Sequence, residues 1–400
     1  INKNAINSEL MDYEKLGKTL GGRVLSSDEG QIIHFKTEFD IDHCYNHFPN
    51  GNSQICPIGI RTLSNMDEII DFLDFENILF LDTETTGLAG GTGTIAFLTG
   101  IGYFLDNNFV VEQIFLPDYG EEEAFLEYLR SRFSKYDVLV TYNGKSYDLN
   151  LLKYRYRMNR IEFPFNQSCH LDLLHTSRQL WKNRLDRCGL QDIEKQILNI
   201  HRKEDIPGSQ IPQAYFDFLS YQKIDTMPLI IQHNQMDILS LALLLIWITQ
   251  TLGNPFHQQN TDVQDLYSLG RLFKRKLESS KAIACFEKAA GLKTTTHTRD
   301  AVYREWGEFL KSSKQWSEAV DVWSEWLNND PLFPEEPLVE LAKYYEHQAR
   351  DYQKAIQIVE RAKEAIINRR SLNRALKVNT NLAEWDKRYC RLCRKIKNKH

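Results

Sequence analysis

The sequence predicts a two-part chain: an α/β domain with a mixed sheet flanked by helices, followed by an all-α array of helical repeats. Three observations carry this reading. Between residues 76 and 253, short apolar strands alternate with amphipathic helical stretches. Downstream, small and large apolar residues recur every 36 or 37 positions. The 400 residues are 42% hydrophobic and 12% aromatic, enough for two or three domains of roughly 100–200 residues each. The boundaries expected are 1–75, an extension of mixed short elements; 76–253, the α/β domain; 262–368, the repeats; and 369–400, a basic helix or tail.

In the extension, Gly21-Gly22 and the Pro49-Asn50-Gly51 turn suggest short strands and loops. The α/β domain opens with Ile78-Leu79-Phe80-Leu81, an apolar run that enters Asp82. Ala96 to Leu105 and Phe109 to Leu116 read as two strands of an antiparallel hairpin, joined through Asp106-Asn107-Asn108. Glu121 to Phe133 reads as an amphipathic helix with acids in its first turn. Val138 to Tyr142 is a further strand, and a helix follows from Leu149. The order β-β-β-α-β-α suits a mixed sheet with helices on its faces.

The repeats align on Ala282, Ala319 and Ala355. Gly270 and Gly307 lie twelve residues before the first two alanines. Phe286, Trp323 and Val359 lie four after; Ala289, Trp326 and Ala362 lie seven after. Pro331 follows the second unit, and the third departs, with Ala342 near the glycine position. The pattern resembles tetratricopeptide repeats, in which small residues let paired helices approach and large ones fill the groove. Generic helical hairpins are the alternative. Stacked pairs of this kind imply a protein partner.

The chemistry concentrates in three short segments. In Asp82-Thr83-Glu84-Thr85-Thr86-Gly87-Leu88, residues two apart share a strand face, so Asp82 and Glu84 present paired carboxylates. Such a pair is costly to bury unless cations neutralise it. Asp148 follows the strand and an Asn143-Gly144 turn; it is a candidate ligand or simply a helix cap. His233 and Asp237, four apart, share a helical face at the expected start of a buried apolar helix.

Three acids followed by a His/Asp pair, each at an element end, resemble the DEDD exonucleases of the RNase H-like superfamily. The resemblance implies an RNase H-like fold and a nuclease, expected to be a 3′–5′ exonuclease on DNA or RNA. It also implies two Mg²⁺ or Mn²⁺ ions roughly 3.5–4 Å apart, held by Asp82, Glu84, Asp148 and Asp237. His233 falls where the family carries its general base. Members with histidine usually have five positions from His to Asp, whereas this sequence has four; that bears on the role of His233 more than on Asp237 as ligand. A closer resemblance is to bacterial YprB-type proteins, which join such a domain to tetratricopeptide repeats. It rests on residues 86–94, on Cys169-His170-Leu171-Asp172-Leu173-Leu174-His175, and on Asp205-Ile206-Pro207-Gly208 with Ile211-Pro212.

Residues 151–203 hold eleven Lys/Arg and five Asp/Glu, a balance of +6 in a chain of net charge −5. Tyr154, Tyr156 and Trp181 are interleaved. The stretch is either a solvated helical face or a path for a polyanion. Candidate nucleic-acid contacts are Thr85, Gly87, Leu88, Asn143, Lys145, Arg155 and Arg178. Asp172 and His175 either line the same cleft or cap and pack a helix. The acidic balance excludes coating of nucleic acid by bulk charge. The spacing of Gly87, Gly90, Gly91 and Gly93 is not that of a dinucleotide-binding loop. No signal peptide is visible, and the apolar run Ile238–Ile248 is short for a bilayer. A cytoplasmic protein with reduced thiols and no membrane association is expected. The alternatives in function are a non-catalytic nucleic-acid-binding scaffold that recruits a partner through its repeats, and a structure-selective endonuclease.

Overall fold

The structure, a computed structural model, describes residues 11–41, 54–63, 75–87, 93–106, 108–165, 170–256, 262–329, 334–372 and 382–398. The Pro49–Gly51 turn, Leu88, Gly90 to Thr92, Asn107, Cys169 and Pro331 lie outside the described residues. The chain divides into two compact units, Ile1–Gln259 and Asn260–His400.

The first unit runs α1 (Tyr13–Leu20), β1 (Arg23–Ser27), β2 (Gly30–Asp40), α2 (Pro57–Leu63), β3 (Ile78–Thr85), β4 (Ala96–Leu105) and β5 (Asn108–Phe115). It continues with α3 (Glu122–Phe133), β6 (Val138–Thr141), α4 (Asp148–Met158), β7 (His170–Asp172), α5 (Leu173–Trp181), α6 (Leu190–Gln196), α7 (Ile211–Tyr221) and α8 (Met227–Gly253). The strands form one mixed sheet in the order β1-β2-β5-β4-β3-β6-β7. Pairing is antiparallel from β1 through β3, and parallel from β3 to β6 and from β6 to β7. Strand β3 is buried from Ile78 to Leu81, as expected of a strand covered on both faces. β4 and β5 form the predicted hairpin, and its turn places Asp106 at φ 53°. The segment upstream of residue 76 adds β1 and β2 to the edge of the sheet through β5.

Helix α8 lies close on this sheet because β4 carries glycines beneath it. An added Cβ at Gly100 would strike Asn234 and stand 2.8 Å from the Ile238 side chain; one at Gly102 would stand 2.5 Å from Ile238. Residues Ile238 to Ile246 are buried throughout. The 27-residue helix is long and apolar enough to cross a bilayer, but 78% of its most apolar window is buried within the protein, so it is a core helix. It begins at Met227, with proline in its first turn. His233 and Asp237 therefore sit in its second and third turns, not at its start as the sequence suggested.

The second unit is all helical: α9 (Val263–Arg275), α10 (Ser279–Ala290), α11 (Thr296–Ser312), α12 (Trp316–Asn329), α13 (Glu335–His347), α14 (Tyr352–Leu372) and α15 (Leu382–Lys397). Successive helices pack on one another. Ala282, Ala319 and Ala355 lie fully buried in the second helix of each pair. Gly270 and Gly307 face aromatic rings of those partners: an added Cβ at Gly270 would stand 2.6 Å from Phe286, and one at Gly307 would strike Trp323. At the basic end, α15 docks on α13. Arg391 and Lys395 reach the buried Glu346 at 2.7 and 2.8 Å, and Trp385 Nε1 donates to Glu335 at 3.0 Å.

Candidate metal centre

Strand β3 delivers the first two acids. Its partly buried Asp82 and Glu84 alternate with the buried Thr83 and Thr85, so both carboxylates leave the sheet on one face. The β3–β4 register shifts between Glu84 and Thr85, an irregularity of the kind that re-aims side chains beside active sites. The close approach of α8 over Gly100 brings Asn234 to Asp82. Its amide donates to Asp82 Oδ2 at 2.9 Å, and Gln113 Nε2 donates to Asn234 Oδ1 at 2.9 Å, fixing the amide's orientation.

Asp148 is the first residue of α4. The capping position belongs to Tyr147, which makes no side-chain cap bond, so capping does not account for Asp148. Its buried carboxylate accepts from Thr83 Oγ1. From α8, His233 Nε2 stands 3.5 Å from Asp237 Oδ2 and 3.9 Å from Glu84 Oε1. One ligand atom each from Glu84, His233 and Asp237 lie within 4.8 Å of one another.

Burial is the largest single influence on the ionisation of these groups, and neighbouring charges modify it. Burial pushes Asp82 well above the usual carboxylate range, and Asp237, Glu84 and Asp148 add to the rise against the Asn234 hydrogen bond. Burial lifts Glu84 to about 7, with His233 opposing. Burial lifts Asp148 to about 6, opposed by the Thr83 bond. Burial alone would lower His233, but Asp237, Glu84 and Asp205 outweigh it and the imidazole is raised. Carboxylates whose ionisation is suppressed by neighbouring carboxylates need positive charge. An all-oxygen acid set suits hard divalent cations such as Mg²⁺ or Mn²⁺, so the residues fit the ions that the fold implies.

Four further residues complete the crevice, and none of them is among the candidate ligands read from the sequence. The Arg202 side chain, 7% exposed, forks onto Glu194 at 2.5 and 2.9 Å and also pairs with Asp237. Asp205 accepts from Arg202 at 3.2 Å and holds His233 Nδ1 at 2.5 Å. Asn234 is fully buried. Asp205 lies in a conspicuous motif and Asn234 beside His233, but nothing local indicates that Arg202 and Glu194 fold inward.

The expected nucleic-acid contacts fare unequally. Thr85 donates to the Gly87 carbonyl at 2.9 Å and lies 3.3 Å from the Tyr147 hydroxyl. Asn143 and Lys145 are exposed, and their backbone N–H groups donate to Asp172 at 2.8 and 3.1 Å. Asp172 also caps α5, in line with the capping alternative. The Arg155 guanidinium is paired with Glu122, with Nε at 2.6 Å, which leaves it less free for a phosphate. The exposed Arg178 lines a cleft of about 670 Å³ with Tyr142, Asn143, Lys182 and Arg187.

Residues 79–249 match the family model of the RNase H superfamily, a span that holds every acid of the crevice. YprB of Bacillus subtilis (strain 168), an uncharacterized protein, is 33% identical over 290 residues, which cover 72% of this chain and 69% of that protein. The chain therefore belongs to the family of YprB and carries an RNase H superfamily domain over residues 79–249.

Proposed function

We propose that this protein is a metal-dependent nuclease that hydrolyses phosphodiester bonds of DNA or RNA and removes nucleotides from a 3′ end. One observation carries the reading: Asp82, Glu84, Asp148 and Asp237, drawn from β3, α4 and α8, are brought into one buried cluster, in which burial first, and neighbouring acids second, raise the pKa values of Asp82 and Glu84, while burial raises Asp148. These four acids would hold two Mg²⁺ or Mn²⁺ ions. When bound, the ions supply electrostatic stabilisation of the charge that develops on the reacting phosphate.

The chain's own groups do the rest. Asp205 fixes the His233 ring from its Nδ1 side, which leaves Nε2 facing Glu84 and Asp237. Neutralising Glu84 and Asp237 would remove two of the influences that raise the imidazole, leaving Asp205 to orient it, so that Nε2 can accept the proton of an attacking water. The i,i+4 spacing serves this role because the helix keeps His233 and Asp237 on one face. Asn143, Lys145, Arg178, Lys182 and Arg187 offer the phosphate path, close to the loop that carries Asp148. In the second unit we read tetratricopeptide-like pairs that recruit a protein partner; the glycine-to-aromatic contacts at Gly270 and Gly307 support this.

Labelled single-stranded DNA and RNA with Mn²⁺ provide the test. Stepwise shortening from the 3′ end by the wild type is expected, lost by at least a thousandfold in Asp82→Ala. Activity unchanged by that substitution would remove the proposal, and cutting of circular substrates would favour an endonuclease.

A further inference from the structure

Arg202 is the one group of fixed positive charge that directly contacts an acid of the crevice among the described residues. It reaches Asp237 from the loop that follows α6, with Glu194 on its other side. The geometry is specific. The guanidinium forks onto Glu194, which is 1% exposed, and its NH2 also reaches Asp237 Oδ1. Asp237 Oδ2 is the oxygen turned toward His233 Nε2. One oxygen of a candidate metal ligand is thus already taken by a cation that belongs to the protein.

We propose that Arg202 is a built-in competitor for Asp237: it fills one coordination position of the cluster and weakens its hold on divalent ions. The proposal rests on the metal reading above. Two consequences follow from charge. A divalent ion that uses Asp237 Oδ1 must displace the guanidinium, and one that uses Oδ2 alone must sit beside it, so either way Arg202 lowers affinity. Glu194 tempers this by drawing on the same guanidinium. Removing Glu194 should therefore tighten the grip of Arg202 on Asp237, whereas removing Arg202 and Glu194 together frees Asp237 with no change in net charge. An arginine so placed also keeps Asp237 partnered without metal.

The experiment is calorimetric titration of the full chain with MnCl₂, for the wild type, Asp82→Asn, Glu194→Gln and the double variant Arg202→Gln/Glu194→Gln, with thermal melts to confirm folding. The double variant is expected to bind Mn²⁺ at least tenfold more tightly than the wild type, and Glu194→Gln more weakly. A role in packing alone would not move the two in opposite directions. Should the double variant fail to fold, Glu194→Gln alone decides, since unchanged or tighter binding there overturns the proposal. If Asp82→Asn abolishes binding but the double variant binds no more tightly than the wild type, Arg202 is not a competitor and the metal site stands. If none of the proteins binds Mn²⁺, both readings fall.

Discussion

One sheet carries two buried acidic clusters, and their partners send them to opposite ends of the carboxylate range. On β5, Glu112 is buried yet held down to about 2, because His34, Tyr103, Arg132 and Tyr128 together outweigh the desolvation that would raise it. Tyr103 and Tyr128 donate to it at 2.6 and 2.9 Å, and Arg132 pairs with it. Two strands away, on β3, Asp82 and Glu84 are also desolvated, but their nearest charged neighbours include other acids, so their values rise. Desolvation acts on both; the partners decide. The Glu112 cluster closes on itself and is structure. The β3 cluster is left short of positive charge, and that deficit is what a divalent cation can fill.

The same chemical change should therefore have opposite effects in the two places. Glu84→Gln is expected to lower Mn²⁺-dependent hydrolysis on the order of a thousandfold, while the metal-free melting temperature stays level or rises because a repelled buried charge is removed. Glu112→Gln should leave turnover per folded molecule near wild type but cost about 3 kcal/mol in denaturant unfolding, since Arg132 loses its partner. If both variants lose activity and stability together, the distinction between the clusters collapses. A smaller effect is expected at Gly100→Ala, where the new methyl strikes Asn234 and crowds Ile238. It should destabilise by about 1–3 kcal/mol and weaken Mn²⁺ binding in the same calorimetry, because Asn234 no longer orients Asp82.

Acid titration sharpens the contrast further. Glu112 and Glu346 are both lowered from an ordinary 4.5 to about 2, each by cationic and hydrogen-bonding partners that overcome burial. A carboxylate depressed on folding adds stability at all pH values above its unfolded pKa and gives it up as pH falls through the folded one. Denaturant midpoints should therefore be flat above pH 4.5 with respect to these groups and drop between about 4.5 and 2. In Glu112→Gln/Glu346→Gln that drop should shrink; an identical acid profile would show that neither pairing holds.

Much of the site is legible because it obeys short periods. Asp82 and Glu84 share a face by the strand repeat, His233 and Asp237 by the helical one, and the β4–β5 hairpin is announced by its turn. Gly270 and Gly307 mark where aromatic side chains of the paired helices pack. What escapes the sequence is long-range. Arg202 sits in a charged stretch that reads as a solvated face or a polyanion path, and only the fold turns it toward Asp237. Arg155 reads as a candidate phosphate contact, and only the fold shows that α3 brings Glu122 against it. The start of α8 at Met227 is hidden because its first turns mix polar and apolar residues, and β1 and β2 lack a clean alternation.

The most direct test of the central claim is a crystal structure of the wild-type chain grown with Mn²⁺, read by anomalous scattering. Peaks are expected in the crevice, coordinated by Asp82, Glu84, Asp148 and Asp237. A map with no anomalous peak among these four acids, at a Mn²⁺ concentration that supports hydrolysis, would contradict it.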